Sequence, residues 1–380
     1  MKALATLALV AVAGIAVAAA PAGGRAPAAA SCGTPVIGMS APISGAAGAI
    51  GRDQLHWAEY YMARWNEQHP TFKVALRYFD DKIDPTKAVT GAHTFASNPS
   101  VLAVIGPTGS QQVFATAPVY KKAGLAMVSG SATTVTLTRG GRLKGTFFRV
   151  VPNDDVQGPS DVEYAMTKLG VKASDHVMLV NQRNAYGKGL RAAMKRAFEA
   201  KGVKVATASI AKTDTDFTSI VDRTVNDKVV FLLTQVATQS QRFASQMKAR
   251  GRTAPVFATD GSFDASKFHV DGSYVSFFAP DVTTMPSAKA LLRGFYAKYG
   301  RGTTPFGPPN YVAAELEVAA IQKACADGKV SRGEVRKWIA KTNLTTTLLG
   351  RPLRFTANGD VRSARFSVFK IVNGKYTVVG

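Results

Sequence analysis

The chain has 380 residues, 46% of them hydrophobic, and it carries a formal net charge of +22 at pH 7. A chain of this length is longer than one that ordinarily folds around a single hydrophobic core, and it is long enough for two α/β lobes. So positive a charge is compatible with nucleic-acid binding, but no run of Lys or Arg is longer than two residues and no aromatic side chains alternate with basic ones. We therefore predict a solvated basic surface and no nucleic-acid partner.

The first 31 residues differ in composition from the rest of the chain. Lys2 precedes an apolar stretch from Ala3 to Ala20, and a spacer rich in Pro, Gly and Ala follows it as far as Ser31. A basic start, an apolar segment and a small-residue exit are typical of a secretory signal peptide. The stretch is also just long enough for a membrane anchor, but the small residues after it favour cleavage. We predict that residues 1–31 are a signal peptide and spacer, and that the mature protein is exported to the periplasm.

Strands alternate with helices through the first half of the chain. The helical spacing of Trp57, Tyr60 and Tyr61 predicts a helix over Arg52–Gln68. Asp84 and Pro85 supply an N-cap and a first-turn proline for a helix that ends near Ser97. The remaining predicted elements are strands at Val36–Met39, Phe72–Phe79, Leu102–Ile105 and Leu125–Val128, and a helix near Gln111–Ala123. This alternation indicates a parallel sheet that is covered on both faces.

The same alternation restarts after Pro152-Asn153-Asp154. Predicted strands lie at Val177–Val180, Lys204–Ile210, Val229–Leu233 and Val256–Ala258, and predicted helices lie near Gly158–Leu169, Gly187–Lys201, Gln239–Arg250, Tyr311–Ala326 and Arg332–Lys341. Asn373-Gly374 predicts a hairpin turn between closing strands at Phe366–Lys370 and Tyr376–Val379. Since no long linker separates the halves, we predict an α/β fold of two Rossmann-like lobes with parallel sheets, joined by several crossings.

Polar residues follow the predicted strands in both halves. Ser110 and the Ser131-Ala132-Thr133 stretch follow two successive strands of the first half. In an open α/β sheet, ligands bind beyond the carboxyl ends of the strands, and hydroxyls beside a helix N-terminus suit an anion. Tyr186 and Asp260 follow strands of the second half, where a carboxylate suits an ammonium group. A zwitterion held between the lobes would match both sets.

Motifs for catalysis and cofactor binding are not evident in the sequence. The five histidines are isolated from one another and from the cysteines, and there is no phosphate-binding loop, dinucleotide fingerprint or nucleophile elbow. Asp80 and Asp81 are adjacent on a predicted strand and would point to opposite faces. We predict no catalytic residues, no metal site and no cofactor.

Cys32 and Cys325 are the two cysteines of the chain. In an oxidising compartment they could pair and tie the first strand to a late helix. Cys32 also occupies the position at which a lipid-modified cysteine would begin a mature lipoprotein. We expect the disulfide, with lipidated or free Cys32 as the alternatives.

The chain contains a set of short motifs whose order and spacing, taken together, are specific for one protein family. They are Ile37-Gly38 to Gly45 with Gly51, Asp80-Asp81 followed by Asp84-Pro85, Val104-Ile105-Gly106, Ser131-Ala132-Thr133 with Leu137-Thr138, Asp154 to Gly158, Tyr186-Gly187-Lys188-Gly189, Asp216-Phe217, Asp260-Gly261, and Gly350 to Asp360. In these motifs the chain after Cys32 resembles the periplasmic solute-binding proteins of ABC importers. More narrowly, it is similar to the leucine/isoleucine/valine-binding family with the type I periplasmic-binding fold.

The resemblance implies roles for the strand-end residues. Ser110 and Thr133 would hold the α-carboxylate of an amino acid, with the backbone of the Ser131-Ala132 stretch assisting. Asp260 would hold the ammonium group, and Tyr186 would close over the ligand. Asp260 stands where the branched-chain binders carry a longer glutamate.

The resemblance also implies the chemistry of the side-chain pocket. Ile50 and Val236 stand where leucine-binding relatives carry tyrosines, and Phe306 keeps an aromatic wall. The pocket would then be roomier and more apolar than in those relatives. We expect an apolar, branched-chain or aromatic amino acid as the ligand.

The family pattern further implies hinge closure and a partner. Lobe 1 would comprise residues 32–151 and 282–350, and lobe 2 residues 152–281 and 351–380. Crossings would lie near Val150–Asn153, Phe278–Val282 and Gly350–Phe355, and an ABC permease of the inner membrane would recognise the closed monomer.

Three other functions fit parts of the pattern. The same fold could bind another small solute such as an amide, urea or an aromatic acid, although Asp260 favours an amine. The chain could be a ligand-sensing receptor or regulator domain. A Rossmann-like enzyme is the third alternative, and it lacks the sequence motifs noted above.

Overall fold

The structure is a computed structural model that describes residues 32–301, 304–326, 330–362 and 365–380. The predicted signal peptide and spacer at 1–31 lie outside the described residues. None of the helices within these ranges combines the length and the apolar character that a membrane crossing requires.

The first lobe is built on a five-stranded parallel sheet with the order β2-β1-β3-β4-β5. Side chains of alternate strand residues pack on opposite faces of this sheet, as the two-residue period of a strand requires. Its elements are β1 (Val36–Ala41), α1 (Gly48–Gln68), β2 (Ala75–Asp80), α2 (Pro85–Ser97), β3 (Val101–Ile105), α3 (Ser110–Ala123), β4 (Ala126–Ser129) and β5 (Phe147–Arg149).

Local sequence fixes where α2 and α3 begin or end. The Asp84 carboxylate accepts hydrogen bonds from the backbone N–H groups of Thr86, at 2.8 Å, and Lys87, at 3.1 Å, and Pro85 occupies the first turn of α2. Gly124 ends α3 in the left-handed region, with φ of 71°. These caps confirm the predicted helix that begins after Asp84.

The second lobe is built on a seven-stranded sheet with the order β14-β13-β10-β9-β8-β6-β7. The five neighbouring strands β10, β9, β8, β6 and β7 are parallel to one another. The last two strands of the chain are antiparallel, β13 (Ser367–Val372) to β10 and β14 (Lys375–Val378) to β13. Its elements are α4 (Asp154–Lys168), β6 (His176–Gln182), α5 (Ala185–Glu199), β7 (Lys204–Ile210), α6 (Thr218–Asp222), β8 (Asp227–Leu233), α7 (Ala237–Ala249), β9 (Val256–Ala258) and β10 (Tyr274–Phe277).

The last part of the chain returns to the first lobe before it completes the second sheet. It comprises α8 (Lys289–Tyr299), α9 (Gly307–Ala326), α10 (Arg332–Ala340), β11 (Asn343–Leu344), β12 (Leu353–Arg354), β13 (Ser367–Val372) and β14 (Lys375–Val378). Helix α9 packs on α1 and β3, and α10 packs on α9, β3 and β4. Both residues of the predicted Asn373-Gly374 turn have positive φ, at 51° and 71°, so this hairpin is confirmed.

The segment before β13 lies beside the first sheet. The Arg149 backbone N–H donates to the Gly359 carbonyl at 3.0 Å, and the Arg149 guanidinium forms an ion pair with Asp360 at 2.7 Å. The predicted lobe limits at residues 151, 281 and 350 stay a prediction, and these contacts associate residues 359–360 with β5.

Both cysteines are thiols in the structure, Cys325 buried and Cys32 half-buried. Burial, together with a hydrogen bond to the neighbouring Cys32, raises the pKa of Cys325 to about 12. The two thiols are therefore neighbours, and their oxidation to a disulfide stays a prediction.

Candidate functional site

The two sheets direct polar residues toward one cleft, because the carboxyl ends of parallel strands lie at one edge of each sheet. Ser110 is the first residue of α3 and Tyr186 is the second of α5. Ser131, Ala132 and Thr133 follow β4, and Asp260 begins a short 3₁₀ helix after β9. All six of these residues are buried.

The first-lobe wall of the cleft consists of hydroxyl groups. The Ser110 hydroxyl accepts from the Thr134 backbone N–H at 3.3 Å. The Thr133 hydroxyl is buried and has no hydrogen-bond partner of normal geometry among the described residues. A buried hydroxyl without a well-formed hydrogen bond costs free energy, and Thr133 lies close enough to the Asp154 carboxyl to lower its pKa.

Ser131 and Ala132 are engaged within the first lobe. The Ser131 hydroxyl donates to the Thr108 carbonyl at 2.8 Å and accepts from the Gln54 side chain at 3.0 Å. The hydroxyl of Ser129 accepts from the backbone N–H groups of Ser131, at 3.3 Å, and Ala132, at 3.0 Å. These bonds fix the loop, so its N–H groups at 131 and 132 already have partners.

The second-lobe wall is an acidic network centred on Asp260. One Asp260 oxygen accepts from the Tyr186 hydroxyl at 2.8 Å and from the Gln157 amide at 2.7 Å. The same amide donates to the Ser276 hydroxyl at 3.2 Å, and that hydroxyl donates to Asp161 at 3.0 Å. Tyr186 and Asp260, predicted separately, are therefore direct hydrogen-bond partners.

Asp154 joins the two walls. It is the first residue of α4, it is fully buried, and neither of its carboxyl oxygens has a hydrogen-bond partner of normal geometry within the described ranges. Its backbone N–H donates to the Thr133 carbonyl at 3.0 Å. Its carboxyl lies close enough to Thr133 and to Asp260 for both to influence its pKa. The sequence motif Asp154 to Gly158 contained this residue, but sequence reasoning gave it no role.

Burial makes these carboxyls weak acids. It raises the pKa of Asp154 to about 7, and the repulsion of Asp260 adds to that rise while Thr133 and Arg149 oppose it. It raises the pKa of Asp260 to about 6, against the hydrogen bonds from Gln157 and Tyr186. It also raises the pKa of Asp161 well above the usual value.

Arg149 is the cation that faces Asp154, and its own hydrogen bonds engage it elsewhere. Its guanidinium binds the carbonyls of Ala132 and Thr134, each at 3.0 Å, and the Thr138 hydroxyl at 2.7 Å, in addition to Asp360. Asp154 is thus left with unpaired oxygens beside a second carboxyl. Such a site favours a cationic ligand group over an anionic one.

The lobes touch each other directly across the cleft. The Gln111 amide donates to the Gln235 side-chain carbonyl at 2.9 Å, and the Thr134 hydroxyl donates to the Ala185 carbonyl at 3.2 Å. These bonds connect α3 and the loop after β4 with the beginnings of α5 and α7. The structure is therefore a closed arrangement of the two lobes.

The predicted side-chain pocket residues Ile50, Val236 and Phe306 are all buried. Phe306 packs edge-to-face on Phe277, with ring centroids 4.9 Å apart. Val236 lines a cavity of about 330 Å³ at the boundary of the lobes, together with Gln111. Contact of these three side chains with a ligand stays a prediction.

Comparison with known proteins identifies the family. A family model described as periplasmic binding protein matches residues 34–375. The chain belongs to this family. Among the relatives of this periplasmic binding protein, the Leu/Ile/Val-binding protein BraC3 of Rhizobium johnstonii is 28% identical over 348 residues, which cover 89% of this chain and 92% of the relative. The predicted resemblance to the leucine/isoleucine/valine-binding proteins is confirmed.

Solved structures agree with the fold of this periplasmic binding protein. The leucine-binding protein LivK of Thermotoga maritima has a TM-score of 0.81 at 22% identity, with 91% of this chain and 98% of that chain covered. The branched-chain amino acid transporter substrate-binding protein LivJ of Streptococcus pneumoniae, solved with isoleucine, has a TM-score of 0.79 at 23% identity, with 91% and 99% covered. These likenesses confirm the predicted two-lobed α/β architecture.

A metal centre is not evident in the site. Among the residues that the structure describes, no group of three or more His, Cys, Asp or Glu side chains is arranged to hold a metal ion.

Proposed function

We propose that this protein is the substrate-binding component of an ABC importer and that it binds an α-amino acid in the closed cleft. The observation that carries the proposal is the position of Asp154, a buried carboxyl with unpaired oxygens beside both the Thr133 hydroxyl and the Asp260 carboxyl. One wall thus offers neutral donors and the other offers carboxylates, which suits a ligand with a carboxylate and an ammonium group on the same carbon atom.

Each end of the ligand has a set of partners. The ligand carboxylate would accept hydrogen bonds from Ser110, at the N-terminus of α3, and from Thr133, which follows β4. The dipole of α3 favours negative charge at this end of the helix. The ligand ammonium would lie between Asp154 and Asp260, with Tyr186 orienting the Asp260 carboxyl. The names of the relatives, which include a Leu/Ile/Val-binding protein, support an apolar ligand side chain beside Ile50, Val236 and Phe306.

Function in transport would follow from closure. A ligand that contacts both lobes stabilises the closed arrangement relative to the open one. The closed monomer would then dock on an inner-membrane permease after export to the periplasm. Binding and release require no covalent step, so we propose no enzymatic activity.

A thermal-shift screen of amino acids, amides and aromatic acids against the purified protein tests the proposal. We expect apolar α-amino acids to raise the melting temperature and to be recovered unchanged. Asp260→Ala should abolish this shift, because the ammonium would lose its partner in a desolvated site, a loss on the order of a few kcal/mol.

The alternatives predict other outcomes of the same screen. Stabilisation by benzoate-like acids or amides, but not by amino acids, would replace the amino-acid ligand with another small solute. Undiminished amino-acid affinity of Asp260→Ala in calorimetry would contradict the proposal directly.

A further inference from the structure

A second cavity lies outside the amino-acid cleft and is surrounded by arginines. It has a volume of about 570 Å³ and is lined by Arg351, Arg362 and Arg365, together with Pro280, Leu349 and Ser367. A volume of this size is typical of small-ligand sites. The lining residues include no acidic side chain.

The charges of these arginines are not neutralised by any residue that the structure describes. Within the described ranges, no carboxylate forms an ion pair with any of the three. Arg362 donates to the Phe355 carbonyl at 3.1 Å, which holds its guanidinium in place but leaves its charge unpaired. Three like charges around one cavity repel one another unless an anion lies between them.

Arg351 provides a second, independent observation. Its Nη2 atom is buried and has no hydrogen-bond partner among the described residues. Burial lowers the pKa of Arg351, with no compensating carboxylate. Arg362 and Arg365, by contrast, are exposed and can adjust to a ligand. A buried guanidinium N–H without an acceptor is costly, and a turn of the Arg351 guanidinium toward the cavity would bring this donor to an oxyanion.

We propose that this cavity is a binding site for an oxyanion of the phosphate class, held by the guanidinium groups of Arg351, Arg362 and Arg365. Guanidinium groups present paired N–H donors that match the oxygen spacing of phosphate and carboxylate groups. The net charge of +22 adds a general attraction for anions. The site shares no residue with the amino-acid cleft and does not depend on the proposed function.

The lining residues come from separate parts of the chain. Pro280 follows β10, Leu349 and Arg351 lie between β11 and β12, and Ser367 begins β13. An anion in this cavity would therefore connect the segments that lead out of and into the second sheet. We expect it to raise the melting temperature of the whole protein.

The test uses inorganic phosphate as the probe, with sodium chloride at equal ionic strength as the reference. Calorimetry and thermal denaturation should show binding and stabilisation of the unmodified protein. Arg351→Gln/Arg365→Gln should reduce the association constant at least about tenfold. The matched control is Arg293→Gln, because Arg293 is an exposed arginine of α8 outside the cavity, and this variant should keep full phosphate affinity.

Arg351 is half-buried, so its substitution could reduce phosphate binding by disturbing the fold. A second variant that leaves Arg351 unchanged separates this effect from the loss of a phosphate contact. Arg362→Gln/Arg365→Gln alters only exposed side chains, and it should also weaken phosphate binding without a change in amino-acid affinity.

Vesicles of phosphatidylglycerol, against vesicles of phosphatidylcholine, test whether a lipid headgroup supplies the phosphate instead. If phosphate or the anionic vesicles bind the unmodified protein more tightly than the two arginine double variants, the result supports the site. Equal binding by all variants, or no binding of phosphate and no binding of the anionic vesicles, overturns it.

Discussion

The two walls of the cleft solve the problem of burying polar groups in different ways. On the first-lobe wall, Ser129 and Gln54 hydrogen-bond most polar groups of the loop and leave the neutral Thr133 hydroxyl free. On the other side, Asp154 and Asp260 are buried carboxyls with raised pKa values and few protein donors. The first wall therefore keeps one hydroxyl for a ligand, whereas neither carboxyl of the acidic wall forms an ion pair with a cation among the described residues.

The largest expected effect comes from the acidic wall. Asp154→Asn should weaken amino-acid binding about 100-fold, because the ammonium loses a carboxylate in a buried site. Isothermal calorimetry measures the change. Asp155→Asn is the matched control, since Asp155 is the adjacent residue but is solvent-exposed and ion-paired with Arg139. A control that loses as much affinity as Asp154→Asn would contradict the role given to Asp154.

Acidification should distinguish the two walls next. Asp260 and Asp154, with pKa values of about 6 and about 7 in the ligand-free cleft, must each lose a proton before they pair with an ammonium group. Affinity should therefore be highest above pH 7 and fall as the pH drops, by up to about tenfold per pH unit for each carboxyl. Calorimetry in buffers of different ionisation enthalpy should show that ligand binding releases protons. The release should be largest within about one pH unit of pH 6.5. Binding with no proton release there would mean that these carboxyls do not meet the ammonium.

The same pKa values predict how the ligand-free protein responds to pH. The folded state binds these protons more tightly than the unfolded chain does. The contribution of the two carboxyls to the free energy of unfolding is therefore complete below about pH 4 and is lost as the pH rises through 6 and 7.

A smaller effect is expected from the neutral wall. Thr133→Val keeps the shape of the side chain and removes its hydroxyl, so affinity should fall about tenfold, the value of one hydrogen bond to a charged group. Because Thr133 also lowers the pKa of Asp154, the loss should grow as the pH falls from about 8 to about 6. The control is Thr138→Val, which removes a hydroxyl that Arg149 binds outside the cleft. Full affinity of Thr133→Val at pH 8 would contradict the role given to the Thr133 hydroxyl.

The smallest effect should come from the direct contact between the lobes. Gln235→Ala removes the acceptor of Gln111 and should weaken ligand binding about threefold, because one neutral hydrogen bond of the closed arrangement is lost. Surface plasmon resonance should assign the change to faster dissociation. An unchanged dissociation rate would show that this contact does not hold the lobes together.

Much of the fold follows from the sequence because local signals and tertiary packing agree. β7 and β9 have the predicted limits, and Asp84 begins α2 as expected. α1 begins at Gly48, four residues before the predicted start at Arg52, because the small residues that open it carry no helical pattern. Here tertiary packing against α9 overrides weak local preference.

Other elements lack a local signal altogether. β5 has three residues, and β10, at Tyr274–Phe277, precedes the crossing that was expected at Phe278–Val282. α8 was not predicted, since Ala288 offers no side-chain cap and few residues of the helix are buried. Such short or uncapped elements depend on their neighbours in the sheet or lobe.

The residues of the candidate site also fall into those that the sequence predicts and those that it does not. The strand-end positions of Ser110, Thr133 and Asp260 follow from α/β topology, and the resemblance supplied their roles. Asp154 follows Asn153 at a helix start, where an acidic residue is ordinarily a solvent-exposed partner of the helix dipole. Only the packing of the second lobe against the loop after β4 buries it, and no spacing in the sequence encodes that contact.

The contacts of Arg149 bear on the order in which the molecule assembles. Its guanidinium donates hydrogen bonds to the carbonyls on both sides of Thr133 and also to Asp360, which lies 211 residues later in the chain. Until the chain is synthesised past that aspartate, the loop lacks one of its anchors. The loop that carries Thr133 therefore gains its full set of anchors only when the last segments of the chain have joined the first sheet.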